Sequence, residues 1–475
     1  MSRGMGKINI AALAAMDNEL CVEQTKWIEF FQKIRPAFTL PNRKLISNGL
    51  LNSEYQKMES EITKKLSEAT DLHLQCDGWS NCRNESIINC VISQPAPLFV
   101  DFIETKANSH SAQYLCNIMK DIMLKYNINK FFVVIGDNAA NVQAALKLLT
   151  EQFPHIVSLG CASHLMHLLC WDIMKCKAAK KIGDEANRII KKVKKSHLLN
   201  ASFTSIQKEK KIEVVLKIAG KTRWGLVLES FQSLVANRNV LQIMVVSDSV
   251  KNKITPAMRS QILDDNFWKK VDCIIKVLQP VIAANIELEG DGVLIHKVHE
   301  YCNKMKNGVN QALQSGNMFT IREKNKVLNQ LDTRFKQAVK PIHLAGALLH
   351  PNSRGTHLTA QESIDAMEFI FKVAADMSID TTIVLSETGS YKNKEGLWSK
   401  EFIWTTANNM CPLQWWKTFY SSTLLSKVAV RILSAPTSSA ATERTNSTFG
   451  WIHSNKRNRL HTKRADQITY LAYNW

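Results

Sequence analysis

Four side chains with metal-binding chemistry stand three residues apart in the stretch CASHLMHLLC: Cys161, His164, His167 and Cys170. Two thiols and two imidazoles are a ligand set that tetrahedral zinc accepts. The stretch is rich in Leu, Met and Ala and reads as a helix, on which each step of three turns the side chain by about 300°. Cys161 and Cys170 then fall on opposite sides, so one ion cannot gather all four. Two readings remain. One is an apolar helix with two small hydrophobic cysteines. The other is a Cys161–His164 pair that supports a reaction centre nearby.

A second constellation is made of acids. Asp77 in LHLQCDGWS and Asp137 in KFFVVIGDN each end an apolar run. Either alone could be a turn or cap aspartate, but both occupy the same kind of place. Two carboxylates a few ångströms apart repel and raise each other's pKa unless a cation sits between them. Hard Mg²⁺ or Mn²⁺ suits such oxygen ligands. Two such ions, about 3.5–4 Å apart, clamp the attacking and leaving oxygens of a phosphodiester. That chemistry needs a third carboxylate, which composition does not reveal.

The elements around these acids follow from periodicity. Residues 1–70 read as a helical region, with WIEFFQKIRPAF carrying apolar positions at helical spacing. In 72–80, Leu72, Leu74 and Cys76 alternate as in a half-buried strand. Strands over 85–93 and 97–107 follow so closely that the three must pair as antiparallel hairpins. An amphipathic helix over 111–127 starts at a Ser cap. The apolar run 130–138 reads as a buried parallel strand. A helix, a strand over 155–161 and the helix of the opening stretch complete the order β-β-β-α-β-α-β-α. A dinucleotide-binding fold begins βαβ instead. The order is that of an RNase H-like α/β core with a mixed sheet, in which strands one and four are neighbours. Asp77 and Asp137 would then meet. Residues 196–405 read as mostly helix, apart from an exposed loop expected at SETGSYKNKEG (386–396). The expected organisation is a helical region 1–70, a first core part 71–195, an all-α insertion 196–405 and a closing region 406–475.

Composition narrows the partners. The chain has 475 residues, with 61 Lys and Arg against 42 Asp and Glu, a net charge of +19. Such an excess favours polyanions, nucleic acid first. It concentrates in 175–217, where 13 basic residues face 4 acidic ones and where Lys191, Lys192, Lys194 and Lys195 cluster. Each basic run alone could be a solvated helix face. No apolar run reaches the roughly 18 residues of a membrane span, so no membrane partner is expected. Eleven scattered cysteines without CxxC pairs fit reduced thiols.

The blocks LQCDGWSNCRNESIINCVI, VVIGDNAANVQAALKLL, VSLGCASHLMHLLCWDI, KTRWG and APTSSAATERTNSTFGWIHSNKRNRLHTKRADQITYLAYN resemble, in order, those of hAT-superfamily transposases. The resemblance implies an RNase H-like core interrupted by a helical insertion and a C-terminal dimerisation region. It implies a catalytic triad that binds two Mg²⁺ or Mn²⁺ ions, with Asp77 first, Asp137 second and Glu443, in ATERTNS, third. Cys161 and His164 fall on the family's Cys-x-x-His as supports. Arg223 and Trp224 fall on its Arg-Trp pair, whose Trp stacks at the cut DNA end, where stacking is worth roughly 1–3 kcal/mol. A core Trp on the apolar helix WGLVLESF is the other reading of Trp224. Two departures stand out. The family's usual BED-type zinc finger is not expected, because His73 is the first His and Cys21 the only Cys before Cys76. Near Asn446 the family often has an aromatic residue.

Two functions are compatible with this pattern. One is a metal-dependent DNA strand transferase. The other is a non-catalytic, domesticated nuclear protein that binds DNA or chromatin and dimerises. For the dimer the expected interface lies in 406–475, where LLSKVAVRIL and ITYLAY offer apolar faces that could equally close the protomer's own core. Either function places the protein in the nucleus.

Overall fold

The computed structural model describes residues 25–37, 39–94, 96–105, 110–220, 224–290, 295–454 and 460–475. The chain divides into two compact units. One comprises Met1–Cys161, Gly292–Ile295 and Leu348–Trp475; the other comprises Ala162–Asp291 and His296–Ala347.

The first unit is built on five strands: β1 (Leu72–Ser80), β2 (Ser86–Gln94), β3 (Ala96–Glu104), β4 (Phe131–Gly136) and β5 (Val157–Gly160). Helix α1 (Leu51–Glu68) precedes them, α2 (Ala112–Lys125) joins β3 to β4, and α3 (Ala140–Gln152) joins β4 to β5. The sheet is mixed, in the order β3-β2-β1-β4-β5, with β1 antiparallel to β2 and parallel to β4. Connections this short allow only hairpins between β1, β2 and β3, whereas the helical crossovers set β4 and β5 parallel.

Strand β1 is not half-buried, as its alternation predicts. His73 and Gln75 are as buried as Leu72, Leu74 and Cys76. The reason is its central position. Leu72, Leu74 and Cys76 join a core with Leu115, Met119 and Leu146 of α2 and α3. The other side meets the end of the chain, where Ser434 hydrogen-bonds the His73 ring at 3.0 Å.

Among its described residues the second unit is built of helices joined by turns and one extended stretch over 212–220, with no strand, and begins with α4 (Ala162–Met174) and α5 (Lys177–Lys195). Helix α5 buries Ile182, Ala186, Ile189, Ile190 and Val193 at helical spacing and leaves its lysines outside. Helices α6 (Trp224–Ala236) and α7 (Asp265–Glu289) share the same apolar core. Arg334 pairs with Asp172 at 2.9 Å in that unit.

After residue 348 the chain returns to the first unit through α8 (Thr381–Asn393), α9 (Pro412–Phe419), α10 (Leu424–Leu433), α11 (Ala440–Ile452) and α12 (Thr462–Asn474). Helix α8 corrects an expectation, since most of the loop expected over 386–396 is helical. Asp380 caps it through the amides of Thr382 and Ile383, and Val384, Thr388 and Tyr391 are buried. Packing outweighs the helix-breaking tendency of Gly389.

Helix α12 closes the free edge of the sheet. The Asn474 amide donates to the Phe99 carbonyl and accepts from the Phe99 N–H, both at 2.9 Å, as a neighbouring strand would. The expected apolar faces of LLSKVAVRIL and ITYLAY are spent here. Leu425, Val428, Ala429, Ile432, Leu433, Ile468 and Leu471 are all buried within the protomer. These residues are therefore not offered at the protomer's surface. Among the described residues none of the helices is long and apolar enough to cross a membrane.

Candidate active site

Asp77 and Asp137 arrive at one edge of the sheet because their strands are neighbours in register. Gln75 pairs with Ile135 across the parallel β1–β4 ladder. Asp77 lies two residues beyond that pair on β1 and Asp137 two residues beyond it just past the end of β4, close enough for the Asp137 charge to act on the Asp77 carboxyl. Asp137 follows the last residue of β4 and precedes α3. Its Oδ1 accepts the Ala139 N–H at 2.8 Å, and Gln143 Nε2 donates to its carbonyl at 2.7 Å. The start of a helix favours a negative charge there. Gly160 allows the neighbouring turn to close: a Cβ there would stand 2.1 Å from Asn138 Oδ1, whose amide donates to the Cys161 carbonyl at 2.7 Å.

Glu443 is carried by α11, which begins after Ser439, and its side chain is exposed. One turn later, Asn446 Nδ2 donates to Asp77 Oδ2 at 2.8 Å. Asn446 Oδ1 in turn accepts from Asn89 Nδ2 at 2.6 Å, and that same amide donates to Thr445 Oγ1 at 2.9 Å. Asn89 is fully buried and lies directly opposite Asp77 in the hairpin. Its own Oδ1 finds no partner among the described residues. A buried amide held at that cost serves its donors. The pair Asn89–Asn446 thus ties the strand that bears Asp77 to the helix that bears Glu443.

The electrostatics agree with this convergence. The Asp77 carboxyl is pushed up to about 7, first by burial and then by the charges of Asp137 and Glu443. The hydrogen bonds from Asn446 and from the Gly78 backbone act the other way. A cavity of about 250 Å³ opens beside the two aspartates, lined also by Ser86, His110, Met119 and Asn141. As the side chains stand, no three or more His, Cys, Asp or Glu residues among the described ones are grouped to hold a metal ion. The donor chemistry of Asp77, Asp137 and Glu443 nevertheless suits Mg²⁺ or Mn²⁺. All donors are oxygens, and a carboxyl whose ionisation its neighbours oppose is what a divalent cation returns to the charged form.

The raised Asp77 has a consequence for stability. A folded-state pKa above the unfolded value contributes stability that is complete below the ordinary carboxylate range and is lost as pH rises toward 7. Asp77→Asn cannot ionise, and its side-chain oxygen can still accept from Asn446. The variant is expected to melt above wild type at about pH 8 and level with it at about pH 3.5. Thermal melts at both values check this; an equal difference at both would contradict it.

The other expected residues fall elsewhere. Cys161 is buried at the end of β5, where its N–H donates to the Gly136 carbonyl at 2.8 Å. His164 belongs to α4 of the helical unit and is half-buried. Lys191, Lys192, Lys194 and Lys195 are exposed on α5, and Lys194 Nζ also donates to the Leu216 carbonyl at 2.9 Å. Arg223 lies outside the described residues, as does Cys21. Trp224 starts α6, is 7% exposed and meets Trp171 edge-on at 5.1 Å. In this arrangement it is a core residue, and its faces are not offered to a base.

The residues that sequence patterns did not signal as functional are Asn89 and Asn446. Two weak signals existed. The hairpin register puts Asn89 across from Asp77, and Asn446 lies three after Glu443, on the same helix face.

Comparison with known proteins gives two matches. A family model described as "Domain of unknown function (DUF659)" matches residues 41–189, and one described as "hAT family C-terminal dimerisation region" matches residues 394–475. The first covers Asp77, Asp137, Cys161 and His164; the second covers Glu443, Asn446 and the helices that close the sheet. No curated protein matches the chain.

Proposed function

The two matched regions support an hAT-type, transposase-derived protein that forms oligomers, and on that premise we propose that the chain cuts and transfers DNA strands from an RNase H-like core. Asp77, Asp137 and Glu443 would hold two Mg²⁺ or Mn²⁺ ions. When bound, those ions supply positive charge to the phosphodiester oxygens and to the attacking and leaving groups. The chain's own groups do the rest. Asn446 and Asn89 orient Asp77 and keep α11 against the strand. Asp137, fixed by the Ala139 and Gln143 contacts, presents its second carboxylate oxygen. The lysines of α5 bind DNA backbone, and the C-terminal region pairs two copies. The nucleus is where such a substrate is met.

One observation carries this reading: Asp137 and Glu443, acids 60 and 366 positions away, both stand close enough to Asp77 to add to the rise that burial gives its carboxyl. A chain that needed these acids only as surface charge would spread them apart, because mutual repulsion is unfavourable. The test is incubation of the purified chain with supercoiled plasmid in Mg²⁺ or Mn²⁺. Relaxed and linear forms are the expected products. Intact plasmid across a range of DNA ends and both metals would sink the reading.

A second reading rests on the Asn446 contact. Asp77 already has a protein donor where the family resemblance implies an aromatic neighbour. A domesticated protein that binds DNA or chromatin and dimerises without cutting could keep the acids in that satisfied state. It retains α5 and the dimerisation region and gives salt-sensitive DNA binding with no cleavage.

A further inference from the structure

The cavity beside the two aspartates contains one group that the reading above leaves idle, the imidazole of His110. Its position is built rather than incidental. Its backbone carbonyl accepts from Asn141 Nδ2 at 2.8 Å, and it directly precedes Ser111, the cap of α2. Its Nε2 lies 3.0 Å from Ser86 Oγ and 2.9 Å from Thr105 Oγ1. Its Cε1 faces Gly78, the residue after Asp77: a Cβ built there would stand 4.0 Å away.

These contacts decide which ring nitrogen carries a proton. Thr105 spends its only hydroxyl proton on the Ser86 carbonyl, at 3.0 Å. Toward His110 it can therefore only accept. In the arrangement in which Thr105 gives its hydroxyl proton to the Ser86 carbonyl, Nε2 is the donor, shared between Thr105 Oγ1 and Ser86 Oγ. The proton on Nε2 belongs to the framework. Nδ1 makes no hydrogen bond to a described residue. The ring is half-buried and lines the cavity, and Nδ1 is the nitrogen it leaves for a bound group.

We infer that His110 is a catalytic residue of strand cleavage, which gives the proton on its Nδ1 to the 3′-oxygen of the departing strand; this rests on the strand-cleavage reading. In that step a water oxygen forms the new bond to phosphorus, and the P–O3′ bond breaks. Its electron pair takes the Nδ1 proton, and the proton lost by the water passes to solvent. The ring ends neutral with Nε2–H still bound to Ser86 and Thr105, and solvent restores the Nδ1 proton.

The variant His110→Gln separates this role from a structural one. The glutamine amide nitrogen reaches the place of Nε2 and can still donate to Ser86 and Thr105, but nothing replaces Nδ1. Two DNA substrates are compared in Mn²⁺: the ordinary linkage, and one with sulfur in place of the 3′-oxygen, whose thiolate departs without a proton. His110→Gln is expected to cut the ordinary linkage about 100-fold more slowly than wild type and the sulfur linkage within about threefold of it, with an unchanged melting temperature. Equal losses on both substrates, or no loss on either, would overturn the inference and leave strand cleavage standing. A wild-type chain that cuts neither substrate would overturn the strand-cleavage reading, and this inference with it.

Discussion

Replacing Asp137 with asparagine is expected, on the strand-cleavage reading, to slow plasmid nicking by about 100-fold or more, since losing a carboxylate proposed to hold metal would remove several kcal/mol of transition-state stabilisation and each 1.4 kcal/mol is tenfold. The substitution is mild for the fold. The Asn side-chain oxygen can still accept from Ala139, and Gln143 bonds to the backbone carbonyl, not to the carboxylate. It also removes the largest charge that opposes ionisation of Asp77, so the Asp77 carboxyl should titrate below its wild-type value of about 7. Two measurements therefore go together, a nicking assay and a carboxyl NMR titration. Glu443→Gln should reproduce the loss of nicking, with a smaller effect on Asp77 because its contribution there ranks after that of Asp137. The double variant should be little worse than either single one, because members of one catalytic unit are not additive. If the domesticated reading holds, wild type and Asp137→Asn bind DNA alike and neither nicks it. Retention of full nicking by Asp137→Asn would remove the acids from the mechanism altogether.

The parts of this site that were legible beforehand share one property: they depend on chain-local patterns. Asp77 and Asp137 stand at the ends of apolar runs, and a run of six buried residues such as Phe131–Gly136 can hardly be other than an interior strand. Adjacency of the first and fourth strands followed from their order. Glu443 was different. Nothing near it marks it, and only the family resemblance of ATERTNS singled it out. Asn89 and Asn446 were silent for a further reason. Their role is a bond across 357 positions, and an asparagine in a strand or a helix looks the same whether or not it makes one. Tertiary packing also overrode two local patterns. Val384, Thr388 and Tyr391 pulled a Gly- and Ser-containing stretch into α8. The alternation of β1 suggested one wet face, yet His73 and Gln75 on it are buried, and Ser434, just past α10, hydrogen-bonds the His73 ring there. The apolar faces of 424–433 and 468–473 show the converse ambiguity. Hydrophobic periodicity says that a face is buried, not whether it is buried in the same protomer or in another.

That ambiguity gives the region matched as a dimerisation region a measurable weak point inside the protomer. Trp416 is fully buried, and its Nε1 donates to the Leu349 carbonyl at 2.8 Å. Its ring lies 4.8 Å from that of Tyr391, 5.3 Å from Trp415 and 5.8 Å from Tyr420. Ser426 of α10 also bonds its backbone carbonyl at 3.1 Å, so one residue joins α8, α9 and α10. Trp416→Ala should cost about 3–5 kcal/mol, the range for emptying a large aromatic site in a core. On a unit of this size that lowers the melting temperature by roughly 5–15 °C. Trp416→Phe keeps the ring contacts in part and strands the Leu349 carbonyl, which should cost about 1–3 kcal/mol. The order alanine, phenylalanine, wild type in thermal melts checks the assignment to packing plus one hydrogen bond. Light scattering then reads the consequence for assembly. Because α9 and α10 lie within residues 394–475, loosening them should shift the oligomer toward monomer at temperatures where wild type remains assembled. An alanine variant that melts with wild type would show that this aromatic cluster does not hold the region together.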